Sequence, residues 1–217
     1  MLFELKDGSA SIQAIGTVVS LRCPVCRQRG TFEARVPGMV DLHLVSSLGV
    51  FFLGQRSCPN PSCRTHVFFA YDAQKRDVAV SYPAERIDFD ATNIPQPVVS
   101  ALSEAITCHA NECFIAAAIM VRKTLEELCS DRGANGSDLK QRIKALGKTI
   151  ILPPELLDGL DELRLLGNDA AHIESKEYSK VDQEEVEVAI EITKEVLKAA
   201  YQYSAIIGRL KALKKIP

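Results

Sequence analysis

Two pairs of closely spaced cysteines, Cys23-Pro-Val-Cys26 and Cys58-Pro-Asn-Pro-Ser-Cys63, constrain this chain more than any other feature. They use four of its seven cysteines and are separated by 31 residues. Each pair sets two thiols on one short turn, and two such turns supply the four soft ligands that a tetrahedral Zn²⁺ prefers. Proline directly after Cys23 and Cys58 fixes φ where the chain must double back. Paired short spacings of this kind are a zinc signature, and the wider second spacing stays within the range of structural sites. The alternative is two disulfides, or four reduced cysteines without a metal. The expected cofactor is therefore one zinc ion per chain on Cys23, Cys26, Cys58 and Cys63. Four thiolates would close its coordination and leave no position for water or substrate, so the ion is expected to be structural.

At 217 residues the chain is long enough for one or two domains with a sizeable core. With 47% hydrophobic and 25% charged residues it has the composition of a soluble globular protein. No apolar leader is visible in Met-Leu-Phe-Glu-Leu-Lys-Asp, and the most apolar stretch, residues 39–54, is interrupted by Asp41 and His43. That stretch is too short to span a bilayer, so no membrane is expected. Cysteines arranged as metal ligands, with Cys108, Cys113 and Cys129 expected as buried thiols, fit a reducing, cytoplasmic setting. A net charge of −2 argues against a strongly electrostatic nucleic-acid binder. Basic and aromatic residues are not interleaved around the cysteine turns, which also disfavours DNA binding there.

The hydrophobic period changes along the chain. Residues 15–21, 50–55, 65–71 and 77–82 are short, rich in Val and Phe, and punctuated by Gly, Pro, Asn and Asp, as strands are. Strands leading into and out of cysteine turns make a zinc ribbon, whose small sheet would draw much of its folding free energy from the metal. Residues 82–97 hold three prolines and little periodicity, and read as a connector. From Val98 onward the period is helical. Helices are expected from about 94 to 109, 112 to 130, 137 to 146, from the Pro153-Pro154 pair onward, and from a cap at Asp182 to about 213. The fold class is therefore α+β: a small β zinc ribbon over residues 1–94, connector included, followed by a five-helix α-bundle over 95–217.

Polar residues stand out in two of these helices. In Leu163-Arg-Leu-Leu-Gly-Asn-Asp-Ala-Ala-His172, the apolar positions Leu156, Leu160, Leu163, Leu166, Ala170 and Ala171 fall on one face. Arg164, Asn168 and His172 follow at i, i+4 and i+8 along its flank, about 6 Å apart. They are either a site or an ordinary polar edge, with Arg164 paired to an acid and His172 ending the helix. In the second helix nine apolar residues, Cys113 to Val121, run directly into Arg122, with Glu126 one turn later. A half-buried charge needs a partner. Either Arg122 and Glu126 satisfy each other at i,i+4, or they face Arg164 and His172 and complete a supporting polar pocket. Cys108, His109 and Cys113 mimic ligand spacing, but their apolar neighbours make them core residues instead.

Taken together, Arg122-Lys-Thr-Leu-Glu126, Leu139-Lys-Gln-Arg-Ile143 and Leu163 to His172 resemble domain of unknown function 4145. That family is grouped with the HEPN (higher eukaryotes and prokaryotes nucleotide-binding) superfamily of helical bundles, and the resemblance covers roughly residues 95 to 200. It implies a HEPN-like bundle that binds or cleaves RNA, with a prokaryotic defence or stress role. Many HEPN proteins are metal-independent ribonucleases whose motif is Arg, a polar residue, three residues and His. Asn168 and His172 match its second half, while the position of the usual Arg is Gly167, and the nearby arginine is Arg164. The implied chemistry is attack of a ribose 2′-OH on the adjacent phosphate. His172 would be general acid/base, Arg164 would stabilise the phosphorane charge, and Asn168 would orient the phosphate or the histidine. Such sites are commonly composite, which implies a homodimer. The competing expectation is a non-catalytic dimerisation or interaction module whose ribbon docks a protein partner.

Overall fold

The computed structural model describes residues 9–13, 19–32, 34, 41–46, 49–172 and 180–213. The chain divides into two compact units, Met1–Arg86 and Ile87–Pro217. It is an α+β fold: antiparallel strands come first in the chain and helices follow.

The first unit contains β1 (Ser9–Gln13), β2 (Val19–Arg22), β3 (Arg29–Phe32), β4 (Asp41–Ser46), β5 (Gly49–Ser57), β6 (His66–Asp72) and β7 (Asp77–Tyr82). Five of these form an antiparallel sheet ordered β1-β4-β5-β6-β7, and β2 and β3 form a separate hairpin. In β2 the alternation is direct, with Val19 and Leu21 buried and Ser20 exposed. These residues share a small core with Phe32, Val67, Phe69, Cys23 and Cys58. Strands were expected over 50–55, 65–71 and 77–82, where β5, β6 and β7 lie. The strand expected over 15–21 begins only at Val19 among the described residues, since 14–18 lie outside them. The strands β1, β3 and β4 have no counterpart in the expectation. In β3, Arg-Gly-Thr-Phe is strand only because it pairs with β2.

The largest fully buried side chain in the unit is a charge. Arg56 is 1% exposed and donates from Nη1 and Nη2 to the two carboxylate oxygens of Asp41, at 2.7 and 2.6 Å. Its guanidinium also lies 4.8 Å from the Phe69 ring centroid. Gly54 makes room for this pair, because a Cβ there would meet Asp41 Oδ1 at 2.2 Å. Two ions withdrawn from water are tolerable only as a bidentate pair of this kind.

The second unit is built of α1 (Gln96–Ala110), α2 (Phe114–Asp131), α3 (Leu139–Thr149), α4 (Pro154–Ala171) and α5 (Gln183–Leu197). The last continues through a π-helical turn, Lys198–Gln202, into α6 (Tyr203–Ala212), so the described helices form five rods. Pro95 and Pro153 stand at the N-caps of α1 and α4, where a missing N–H costs nothing. Asp182 caps α5 in a full capping box with Glu185. In α3 the cap is Asp138, whose carboxylate accepts from the Gln141 amide at 2.8 Å, one residue beyond the expected Ser137. The core joins Leu102, Ala105, Ala117, Ala118, Val121, Leu125, Leu160, Leu163, Leu166, Val186 and Ile190. Much of the expected connector belongs here: Ile94 is in this core and Ile87 and Phe89 pack against it.

The π-helical turn follows from two obligations. The Ala200 carbonyl accepts from Arg132, whose guanidinium sits 4.0 Å from the Tyr201 ring centroid. Buried Gln202 donates to the carbonyls of Asp90 and Thr92 at 2.9 and 3.2 Å. A widened turn frees a carbonyl from the helical ladder and re-aims these side chains.

The Asp41–Arg56 pair generates a stability test. Asp41→Ala leaves a buried guanidinium uncompensated and should cost ~3–5 kcal/mol, whereas the paired replacement Asp41→Leu/Arg56→Met should cost much less. Urea unfolding of both variants checks this; a single variant as stable as the parent contradicts it.

Candidate metal centre and helical polar site

The two cysteine pairs occupy the turns of two hairpins. Past the last β2–β3 pair, Arg22 with Arg29, the Cys23 amide donates to the Gln28 carbonyl at 2.9 Å, and the Arg27 amide to the Cys23 carbonyl at 3.0 Å. Past the last β5–β6 pair, Ser57 with His66, the Cys58 amide donates to the Thr65 carbonyl at 2.8 Å. The amides of Cys63 and Arg64 both reach the Asn60 carbonyl at 3.0 Å. The residue after each second cysteine is left-handed, Arg27 at φ 63° and Arg64 at φ 50°. A non-glycine residue in that region costs of order 1–3 kcal/mol, and both turns carry this strain at the same position.

These turns bring the four sulfurs within 4.8 Å of one another. The nearest contacts run between turns, Cys23 to Cys63 at 3.7 Å and Cys26 to Cys58 at 3.6 Å. A disulfide needs about 2.05 Å, and all four are free thiols. A tetrahedral ion with Zn–S bonds of ~2.3 Å needs sulfurs about 3.8 Å apart, close to both contacts. The cluster could therefore hold a metal ion, and its soft donor set is consistent with zinc. Cys23 and Cys58 are buried and Cys26 and Cys63 half-buried. Burial pushes the Cys58 thiol up to about 12. The Thr65 hydroxyl, 3.0 Å from Cys63 Sγ, draws Cys63 down to about 6. Thr65 is thus a supporting residue that the cysteine spacing alone did not reveal.

In the helical unit the expected polar residues are placed unequally. Arg164 is 17% exposed and its guanidinium is bound to Asp161, with Nε 2.7 Å from Oδ1 and Nη2 3.3 Å from Oδ2. Hydrogen bonding from Arg164 holds the Asp161 carboxyl below the usual carboxylate range. That pair therefore stabilises the fold at neutral pH, and the contribution fades as acid protonates Asp161. Arg122 Nε lies 3.4 Å from Glu126, and its Nη1 reaches the backbone carbonyl of Arg164 at 3.4 Å. The intrahelical pair thus forms, and α2 meets α4 through the Arg164 main chain. His172 ends α4 as its C-cap, is exposed, and donates its amide to the Asn168 carbonyl at 3.0 Å. Ala171, expected on the core side, is exposed at the same end.

At Gly167, α4 lies close against α2. A Cβ there would lie 2.6 Å from the Arg122 Cβ and 3.2 Å from the Ala118 carbonyl oxygen. No side chain fits at this position. Asp161, the partner of Arg164, was legible as an i,i+3 acid on the same helix.

Among the remaining cysteines, Cys129 is buried and Cys108 half-buried, but Cys113, expected in the core, is exposed. It sits at the α2 N-cap, in the turn leaving α1. The four-cysteine cluster is the candidate metal-ligand group among the described residues, and Cys108, His109 and Cys113 do not form another there. No described helix is long and apolar enough to cross a membrane.

Fold and site define a chain with a four-cysteine cluster that could hold a metal ion among antiparallel strands, followed by an α-helical unit. Residues 103–215 match a family model described as "Domain of unknown function (DUF4145)", and the chain belongs to that family. Comparison with curated proteins and with solved structures gives no match.

The crossing at Gly167 makes a second prediction. Alanine gains ~1 kcal/mol of helix propensity over glycine, yet the overpacking against Arg122 costs ~1–3 kcal/mol. Gly167→Ala should therefore destabilise the protein in chemical denaturation, and a stabilised variant would contradict the contact.

Proposed function

We propose that this protein is a zinc-containing, HEPN-like protein that binds RNA at the C-terminal end of α4, using Asn168 and His172. One structural zinc per chain on Cys23, Cys26, Cys58 and Cys63 would fasten the first unit. Seven free thiols fit a reducing, cytoplasmic setting. The observation that carries the RNA reading is the exposed imidazole of His172 at the end of α4, four residues beyond Asn168. A neutral imidazole can take the 2′-OH proton, and an imidazolium can donate to a phosphate or a leaving oxygen. Transfer needs both a base and an acid, which two histidines in a homodimer would supply. For Arg164 to stabilise charge on the phosphate, its guanidinium would have to leave Asp161.

That last requirement favours a second reading, a non-catalytic dimerisation or protein-interaction module. Arg164 is already bonded to Asp161, and Gly167 holds the place of the motif's arginine against Arg122.

A fluorescence-anisotropy titration with mixed-sequence RNA, paired with a cleavage assay in magnesium-free buffer, separates the readings. The RNA reading predicts saturable binding that His172→Ala weakens. If the site turns over, RNA but not its 2′-deoxy analogue is cut, and the variant loses about 100-fold or more. Folded dimer that neither binds nor cuts RNA would leave the interaction module as the function.

A further inference from the structure

The α1–α2 junction brings two thiols together in a way unrelated to the metal cluster. The Cys113 amide donates to the Cys108 carbonyl at 2.9 Å, and the Glu112 amide to the His109 carbonyl at 3.0 Å. Glu112 lies between them at φ 60°, in the left-handed region. This is a Schellman cap, with Cys108 and Cys113 at the two positions whose side chains commonly touch. The hydrogen bond also limits their separation. Adding the Cα-to-oxygen span of Cys108, about 2.4 Å, and the N–Cα bond of Cys113, about 1.46 Å, to the 2.9 Å contact keeps the two Cα atoms within about 6.8 Å. Disulfides form between Cα atoms about 4.4–6.8 Å apart. Cys113 Sγ is exposed and now faces the Asn111 carbonyl at 3.5 Å, so one rotation about χ1 re-aims it through solvent. Cys108 is half-buried against the helical core.

We propose that Cys108 and Cys113 are an oxidisable dithiol that closes to an intramolecular disulfide on exchange with a low-molecular-weight disulfide such as oxidised glutathione. The exposed Cys113 thiolate attacks one glutathione sulfur, breaking that S–S bond and releasing one glutathione thiolate, which takes up a proton. Cys108 then gives up its proton and attacks Cys113 Sγ in the mixed disulfide, releasing the second glutathione. Two protein thiols are oxidised and one glutathione disulfide is reduced to two thiols. Burial holds the Cys108 thiol above its ordinary value, which lowers its thiolate fraction and leaves the first attack to the exposed Cys113. The bridge would tie the end of α1 to the start of α2 beside His109, whose Nε2 is buried without a hydrogen bond and whose ring meets Phe114 edge-on at 5.8 Å.

Tryptic peptide mapping tests this directly, because no Lys or Arg lies between Arg86 and Arg122 and both cysteines fall in the peptide 87–122. The metal-loaded full chain is treated with oxidised glutathione, free thiols are alkylated, and the peptide is weighed. The expected peptide is two hydrogens lighter and takes no alkyl group, and dithiothreitol restores two alkylation sites. Cys108→Ser should instead leave Cys113 carrying glutathione, and Cys113→Ser should leave Cys108 alkylated. Glutathione retained on Cys113 of the parent protein, both thiols alkylated after treatment, or a cross-link from this peptide to another cysteine would each overturn the proposal.

Discussion

Four sulfurs held within 4.8 Å of one another are the constraint on which the first unit rests. They terminate two hairpins that belong to different sheets, and together with a shared apolar core they bring β2–β3 against β5–β6. Among the described residues, the apolar cluster beneath them joins Cys23 and Cys58 to Val19, Leu21, Phe32, Val67 and Phe69. Each cysteine turn carries a left-handed arginine, which works against folding. Binding of a metal by four thiolates supplies folding free energy. The Asp41–Arg56 pair plays a different part, since its desolvation cost makes it more a fixer of register than a source of stability.

The helical unit rests on a large apolar core, and its candidate site is shaped by one helix crossing. Gly167 lets α4 lie so close to α2 that an added Cβ would meet the Arg122 Cβ at 2.6 Å and the Ala118 carbonyl oxygen at 3.2 Å. That closeness places Arg122 against the Arg164 main chain. The Arg164 side chain is directed to Asp161, one turn back along α4, while His172 stands at the helix's C-terminal end. The same crossing therefore accounts for the glycine in the motif and for the division of the polar stripe into a paired arginine and an exposed histidine.

What could be read in the sequence follows from how local each signal is. The cysteine turns were legible because spacing and proline act within six residues. The helices were legible because their period extends over three or more turns and is bounded by Pro95, Pro153 and Asp182. The strands β3 and β4 were not, since a strand such as Arg-Gly-Thr-Phe is decided by its partner across the hairpin. A buried Arg56 and its carboxylate 15 residues away have no sequence signature. Cys113 was misplaced because helical periodicity was carried one residue too far, across a left-handed Glu112 that turns it outward. Nor can periodicity show a π-helical turn whose cause is an arginine 68 residues distant.

On the proposed reading, the four cysteines are the ligands of one structural zinc ion. X-ray absorption at the zinc edge, on natively purified protein of known metal content, tests it most directly. The account predicts one zinc per chain surrounded by four sulfurs at ~2.3 Å, with no oxygen neighbour. Folded protein that carries no zinc and presents all four thiols to alkylation would contradict it.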